Sequence, residues 1–275
     1  MKIRTYFTLL IISVIISISG CAKKEVIPPE TVAASISVPV ATVPEAKTSL
    51  QEDDTQFLIP GDYLCRYDSI TTGDYLDYYL FIPEEPKENM PLVIFLHGDG
   101  EVGNVENLVD YGPIGRAKEI YDGKLPFYAI SPGTRECSWT TGTIPDTLME
   151  LINFTIDSYA INREKIIITG HSRGAIGTWY LISKYGDFFS AAVPVSCDNG
   201  AHRMDYDTAM QVPVRAFVGE LGDLDEKYQP TMGHMCWEIT RRGGDATLQF
   251  LFGYYHNSTV TESFTPELFQ WMLEQ

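Results

Sequence analysis

Ser172 lies between two glycines in the segment GHSRG at 170–174. A serine hydroxyl becomes a nucleophile where a strained turn presents it to a base, and flanking glycines let the neighbouring backbone approach such a turn. An apolar run at 165–169 precedes the segment, and residues of helical character follow it. The pattern predicts a strand, a sharp turn and a helix, with Ser172 as the nucleophile at the turn.

A serine nucleophile needs a histidine that accepts its proton and a carboxylate that orients the histidine. Where the nucleophile occupies a strand-to-helix turn, the acid and then the histidine follow late strands of the chain. His256 is one of five histidines and comes just after an apolar run that ends at Phe252, whereas His171 is expected to point away from the serine. His256 is therefore the predicted base.

The predicted acid lies in the carboxylate-rich segment that follows an apolar run at 212–218. Asp223 is the first choice, because it follows a glycine and is far enough past the strand to bend toward His256. Asp225 and Glu220 are the alternatives.

Two backbone N–H groups are predicted to stabilise an oxyanion beside Ser172. Arg173, the residue after the serine, supplies one. Asp99 supplies the other from the glycine-rich turn at 97–100, which directly follows the apolar run at 92–96.

Short apolar runs alternate with amphipathic stretches from residue 77 onward, which is typical of an α/β protein with a mostly parallel sheet covered on both faces. The predicted strands are 78–82, 92–96, 127–131, 165–169, 190–195, 212–218 and 246–252. The predicted helices are 105–121, 145–160, 173–186, 227–242 and 265–274. Only about 15 residues separate the strands at 190–195 and 212–218, which predicts a loop or one short helix and no large lid.

Two stretches resemble the α/β-hydrolase esterases related to poly(3-hydroxybutyrate) depolymerases, feruloyl and acetylxylan esterases and phospholipase/carboxylesterase-like proteins. The segment HGDGEVG at 97–103 resembles their HGxGExG turn, and residues 159–196 are similar to their nucleophile turn, helix and next strand. Trp139 resembles an aromatic residue near the cleft in that family, with a buried core position as the alternative. Arg173 and Ala175 depart from the usual GxSMGG turn, and the segment that carries the acid is longer than usual.

The resemblance covers residues 77–275 and implies a single-domain α/β-hydrolase fold that cleaves carboxylic esters through an acyl-enzyme without a cofactor. The short gap before 212 favours short-chain acyl or feruloyl esters of a polysaccharide. A serine peptidase of the prolyl-oligopeptidase type and a catalytically inactive surface-binding lipoprotein are the alternative functions.

Residues 1–20 are predicted to be a secretory signal, because Lys2 and Arg4 precede an apolar run too short to span a bilayer comfortably. The run ends at Cys21, which resembles the lipidated cysteine of bacterial lipoproteins. Residues 21–56 are rich in proline and small residues and are predicted to be a tether, and 57–275 to be the catalytic domain. We therefore expect an extracytoplasmic protein that contacts the membrane through its lipid anchor only.

The formal charge is −17, and it becomes −19 without Lys2 and Arg4, so nucleic acid is not an expected partner. The four cysteines after Cys21 lack the paired spacing of a zinc site, and we expect no metal. These cysteines, Cys65, Cys137, Cys197 and Cys236, allow three disulfide pairings, among which the sequence does not choose, and free buried thiols are the alternative. The sequence leaves the oligomeric state open as well.

Overall fold

The computed structural model describes residues 59–136, 138–198, 200 and 203–275. The predicted signal, Cys21, all of the predicted tether and its boundary at 57 lie outside the described residues. The described residues all belong to one compact unit.

Eight strands of the described chain form one sheet in the order β1-β2-β4-β3-β5-β6-β7-β8. They are β1 Gly61–Asp68, β2 Tyr75–Ile82, β3 Met90–Leu96, β4 Tyr128–Gly133, β5 Ile161–His171, β6 Ala191–Val195, β7 Val214–Leu221 and β8 Ala246–Tyr255. The first two strands run antiparallel to their neighbours, and all pairs from β4 to β8 are parallel. The prediction of a mostly parallel α/β sheet is confirmed.

The described chain also contains seven helices, of which the last two follow the final strand. They are α1 Gly112–Ile120, α2 Ile144–Ser158, α3 Arg173–Lys184, α4 Tyr206–Ala209, α5 Asp223–Thr240, α6 His256–Glu262 and α7 Pro266–Glu274. One apolar cluster includes α2, α3 and α5, and a second includes α1 and α7. The sheet is therefore covered on both faces, which is why a central strand such as β3 is an almost unbroken apolar sequence.

The structure differs from the sequence prediction at several elements. The predicted helix at 105–121 is a short 3₁₀ turn at Val105–Leu108 followed by α1, because Gly112 adopts a φ of 63° where the ring of Phe95 leaves no room for a side chain. β1 and α6 were not predicted from the sequence, whereas α4 matches the short helix that was one of the two alternatives before residue 212. Between β6 and β7 the described residues form one helix of four residues, α4.

The cysteines of the described chain, Cys65, Cys197 and Cys236, are buried and free. Cys137 lies outside the described residues. No helix in the described ranges is long and apolar enough to cross a membrane.

Candidate active site

Ser172 occupies a strained turn between β5 and α3, with φ 54° and ψ −116°. Its backbone N–H donates to the carbonyl of Val195 on the neighbouring strand over 2.9 Å. The turn requires glycine at Gly174, because a Cβ there would lie 1.8 Å from the carbonyl oxygen of Leu96. A left-handed conformation of a non-glycine residue persists only where its surroundings enforce it, and these contacts do so.

The imidazole of His256 lies beside the Ser172 hydroxyl. His256 is the first residue of α6, which follows β8 directly. Its Nε2 is 3.0 Å from Ser172 Oγ, and its side chain is 16% exposed. The structure thus brings together the predicted nucleophile and the predicted base, although they are 84 residues apart in the chain.

Asp225 is the carboxylate that contacts this imidazole. Its Oδ1 is 2.9 Å from His256 Nδ1, and the residue is 0% exposed. Asp223, the first choice from sequence, is exposed and begins α5. The assignment of the acid to Asp223 is therefore corrected to its alternative, Asp225.

The start of α5 explains the correction. The helix was predicted to begin at 227, but it begins at Asp223. Asp223 and Asp225 therefore lie about 200° apart around the helix axis. One carboxylate consequently faces solvent and the other faces His256. Gly219 makes room for the buried carboxylate, because a Cβ at this position would lie 2.3 Å from Asp225 Oδ2.

The two segments predicted to supply oxyanion donors both flank Ser172. Arg173 is the first residue of α3, where backbone N–H groups have no partner within the helix. Asp99 begins a 3₁₀ turn, and a Cβ at the preceding Gly98 would lie 3.3 Å from Ser172 Cβ. The side chains of Asp99 and Arg173 form an exposed ion pair of 3.3 Å at the mouth of the site.

His97 and Trp139 hold the Asp99 turn through buried hydrogen bonds. His97 Nδ1 donates to the carbonyl of Gly98 over 2.7 Å, and its Nε2 accepts from the Thr134 N–H over 3.0 Å. Burial lowers the pKa of His97, consistent with this neutral tautomer. Trp139 is buried and donates from Nε1 to the His97 carbonyl over 3.0 Å, so it is a core residue beneath the turn.

His171 is buried beside the catalytic candidates, and the sequence analysis assigned it no part in the site. Its Nε2 lies 3.0 Å from the backbone carbonyl oxygen of His256, and the centroids of the two rings are 4.8 Å apart. Burial, followed by the charge of His256, lowers the pKa of His171 to about 4. His171 therefore contacts the segment that carries the base.

The Ser172 hydroxyl opens into a cleft of about 850 Å³. Its lining includes three carboxylates and one cation, which are Asp99, Glu101, Asp198 and Arg173. Burial raises the pKa of the Glu101 carboxyl above its ordinary value. In the described ranges, no three His, Cys, Asp or Glu residues are grouped as ligands of a metal ion.

The architecture matches solved structures of esterases and serine hydrolases. A thermostable esterase superimposes with a TM-score of 0.67 at 22% identity, covering 77% of this chain and 62% of that one. A substrate-bound, fluorophosphonate-binding serine hydrolase of Staphylococcus aureus superimposes with a TM-score of 0.62 at 15% identity, covering 79% of this chain and 100% of that one. The chain has the α/β-hydrolase fold.

A sequence match extends the comparison to a probable acetylxylan esterase A of Aspergillus clavatus. The two chains are 25% identical over 128 residues, which is 43% of this chain. The match spans 40% of the length of that relative. No model of a protein family matches the chain.

Proposed function

We propose that this protein is a serine hydrolase that cleaves carboxylic esters through an acyl-enzyme. The observation that carries the proposal is the continuous path from the Ser172 hydroxyl through the His256 imidazole to the buried Asp225 carboxylate, with contacts of 3.0 and 2.9 Å. Both distances are within hydrogen-bonding reach of a nucleophile and its base, and of the base and its orienting acid. The esterase match in sequence and the fold support the same reaction class.

Proton transfer follows from this arrangement. Asp225 accepts from Nδ1–H of His256, which leaves Nε2 free to take the Ser172 proton as Oγ attacks the ester carbonyl carbon. The imidazolium that forms is stabilised by the carboxylate and then donates its proton to the leaving alcohol. A water molecule then attacks the acyl-enzyme with the same proton transfers through His256. This step releases the carboxylic acid product and restores the Ser172 hydroxyl.

The backbone N–H groups of Asp99 and Arg173 are the proposed donors to the oxyanion of the tetrahedral intermediate. Donors that are already aimed at the developing charge need no reorganisation during the reaction. The dipole of α3, whose first residue is Arg173, adds partial positive charge at the same place. The hydrogen bonds of His97 and Trp139 support this proposal, because they hold the Asp99 turn in place.

We propose short-chain acyl or feruloyl esters of a polysaccharide as the substrates. The segment between β6 and β7 is too short for a cap, and its described part forms one four-residue helix. An uncapped cleft admits a bulky polar alcohol and offers little apolar wall to a long acyl chain. The acetylxylan esterase match supports a polysaccharide-linked ester.

A lipid anchor at Cys21 is proposed from the sequence, together with an extracytoplasmic location. The anchor would keep the domain near the membrane surface through the tether at 21–56. Expression of the full chain in a bacterial host tests it, with Cys21→Ser as the matched variant. We expect wild type in the detergent phase of the membrane fraction and the variant outside it, whereas unmodified soluble wild type would contradict the anchor.

Hydrolysis of defined esters tests the proposed reaction. The purified protein is assayed with para-nitrophenyl acetate, acetylated xylan and a feruloylated oligosaccharide, with Ser172→Ala as the matched control. We expect release of acetate or ferulate by wild type and none above background by the variant, because the nucleophile and base act as one unit. Equal release by the two proteins would refute Ser172 as the nucleophile.

A further inference from the structure

His171 is a buried imidazole that the proposed reaction does not use. It is the last residue of β5, directly before the nucleophile, and it is 3% exposed. Its Nε2 lies 3.0 Å from the backbone carbonyl oxygen of His256, 85 residues further along the chain. The side chain therefore connects the turn that carries Ser172 with the segment that carries its base.

The contact defines which ring nitrogen of His171 carries the proton. A carbonyl oxygen only accepts hydrogen bonds, so Nε2 must be the donor. Nδ1 has no hydrogen-bond partner among the described residues, and Gly98 lies on that side, where a Cβ would be 3.4 Å from Nδ1. A second proton on Nδ1 would be a buried, unpaired donor, which is unfavourable.

The same His256 carbonyl accepts a second hydrogen bond. The buried hydroxyl of Thr259 donates to it over 2.6 Å and in turn accepts from Ser196 over 2.9 Å. The peptide of His256 is thus held from its own helix by Thr259 and from the nucleophile turn by His171. Because χ angles depend on the backbone beneath them, fixing this peptide fixes where the His256 ring can point.

The charge state of His171 matters because its ring is next to the base. His256 becomes a cation during the proposed reaction, and the ring centroids are 4.8 Å apart. The charged groups that face His171 are His256 and Asp225. Burial lowers the pKa of His171 more than the Asp225 carboxylate raises it, and the pKa is about 4. A neutral donor can hold the His256 carbonyl without repelling the imidazolium.

We propose that His171 is a positioning residue, which donates from Nε2 to the His256 carbonyl and so keeps the His256 ring within reach of the Ser172 hydroxyl. This inference rests on the proposed function for the identity of the reaction, but the hydrogen bond and the tautomer stand apart from any substrate.

Two substitutions at one position separate the hydrogen bond from the volume of the side chain. His171→Gln places an amide N–H near the position of Nε2 and stays neutral at every pH, whereas His171→Leu fills similar space without a donor. We expect His171→Leu to lower kcat about 10- to 100-fold with KM changed less than about twofold, because a small displacement of the base costs rate more than binding. His171→Gln should recover kcat to within about threefold of wild type.

The rate of labelling by a fluorophosphonate probe is measured on the same proteins, because it reports activation of Ser172 without an ester substrate. We expect it to fall and recover in parallel with kcat. Equal rates for the Leu and Gln variants, whether both normal or both low, would overturn the positioning role. A protein that labels rapidly but cleaves no ester would refute the proposed function and leave the inference about His171 intact.

The tautomer is tested on wild type by NMR of ¹⁵N-labelled histidines. We expect one imidazole to keep its proton on Nε2 and to leave Nδ1 unprotonated from about pH 8 to about pH 5. The lower end of this range is below the ordinary histidine pKa. The signal is assigned by its loss in His171→Gln. If the His171 imidazole titrates near pH 6.5 or carries its proton on Nδ1, the proposal is wrong.

Discussion

Replacing Asp225 by asparagine is the sharpest test of the corrected acid. The carboxylate is fully buried and its Oδ1 is 2.9 Å from His256 Nδ1, so it faces the positive charge that develops on the imidazole. With an effective dielectric constant of about 20, unit charges at 2.9 Å attract by about 6 kcal/mol. At roughly 1.4 kcal/mol for each factor of ten, Asp225→Asn should lower kcat about 10⁴-fold, which is the size expected when an orienting acid becomes an amide.

Asp223→Asn is the matched control, because it makes the same change two residues away on the exposed side of α5. Asp223→Asn should lower only the free energy of unfolding, by about 0.3–1 kcal/mol, because a carboxylate stabilises a helix N-terminus. Its kcat should stay within about twofold of wild type. Steady-state hydrolysis of para-nitrophenyl acetate gives kcat, and thermal unfolding shows that both variants fold. Asp225 is not the orienting acid if Asp225→Asn keeps more than about a tenth of the wild-type kcat, or if Asp223→Asn lowers kcat as much as Asp225→Asn does.

Three further predictions concern the turn, acid stability and the acyl group. Gly174→Ala should lower Tm strongly and abolish labelling of Ser172, since the new methyl would meet Leu96 O at 1.8 Å; a folded variant with normal Tm would contradict the geometry of the turn. For His171, the folded pKa of about 4 lies below the ordinary 6.5, so the unfolded chain binds its proton first as the pH falls. The free energy of unfolding should therefore drop between pH 6.5 and 4 by up to about 3 kcal/mol more in wild type than in His171→Gln. Urea unfolding at each pH measures it, and the same drop in both proteins would argue against a buried neutral imidazole. Across para-nitrophenyl esters from acetate to palmitate, kcat/KM should fall steeply beyond about four to six carbons, because a chain without an apolar wall gains little of the ~0.8 kcal/mol available per methylene. A maximum at long chains would instead reveal an apolar groove.

Much of the fold could be predicted because central parallel strands are buried on both faces and so leave long apolar runs. The runs at 92–96 and 165–169 became β3 and β5 for this reason. The first strand was missed because β1 lies at the edge of the sheet, where only Cys65 is buried and the other residues are exposed or half-buried. Its apolar content is too low to mark a strand.

The site was predictable where the backbone geometry requires a particular residue type, such as glycine. Glycines at 170 and 174 mark the close approach that places Ser172 at its turn. The sequence signal for the acid is weaker, because four carboxylates occur between 220 and 226. Which of them faces His256 depends on whether α5 begins at 223 or 227. Gly219 was a usable signal, since only glycine leaves space for the Asp225 carboxylate. The contact of His171 with a backbone carbonyl leaves no sequence pattern at all.

Labelling by a fluorophosphonate followed by peptide mapping tests the central claim most directly, because the probe bonds covalently only to an activated serine. We expect one adduct per chain, located on Ser172, in wild type and in Asp223→Asn. We expect no adduct in Ser172→Ala and a labelling rate lower by orders of magnitude in His256→Ala. An adduct on another residue, or none on a correctly folded wild-type protein, would contradict the assignment of Ser172, His256 and Asp225 as one catalytic unit.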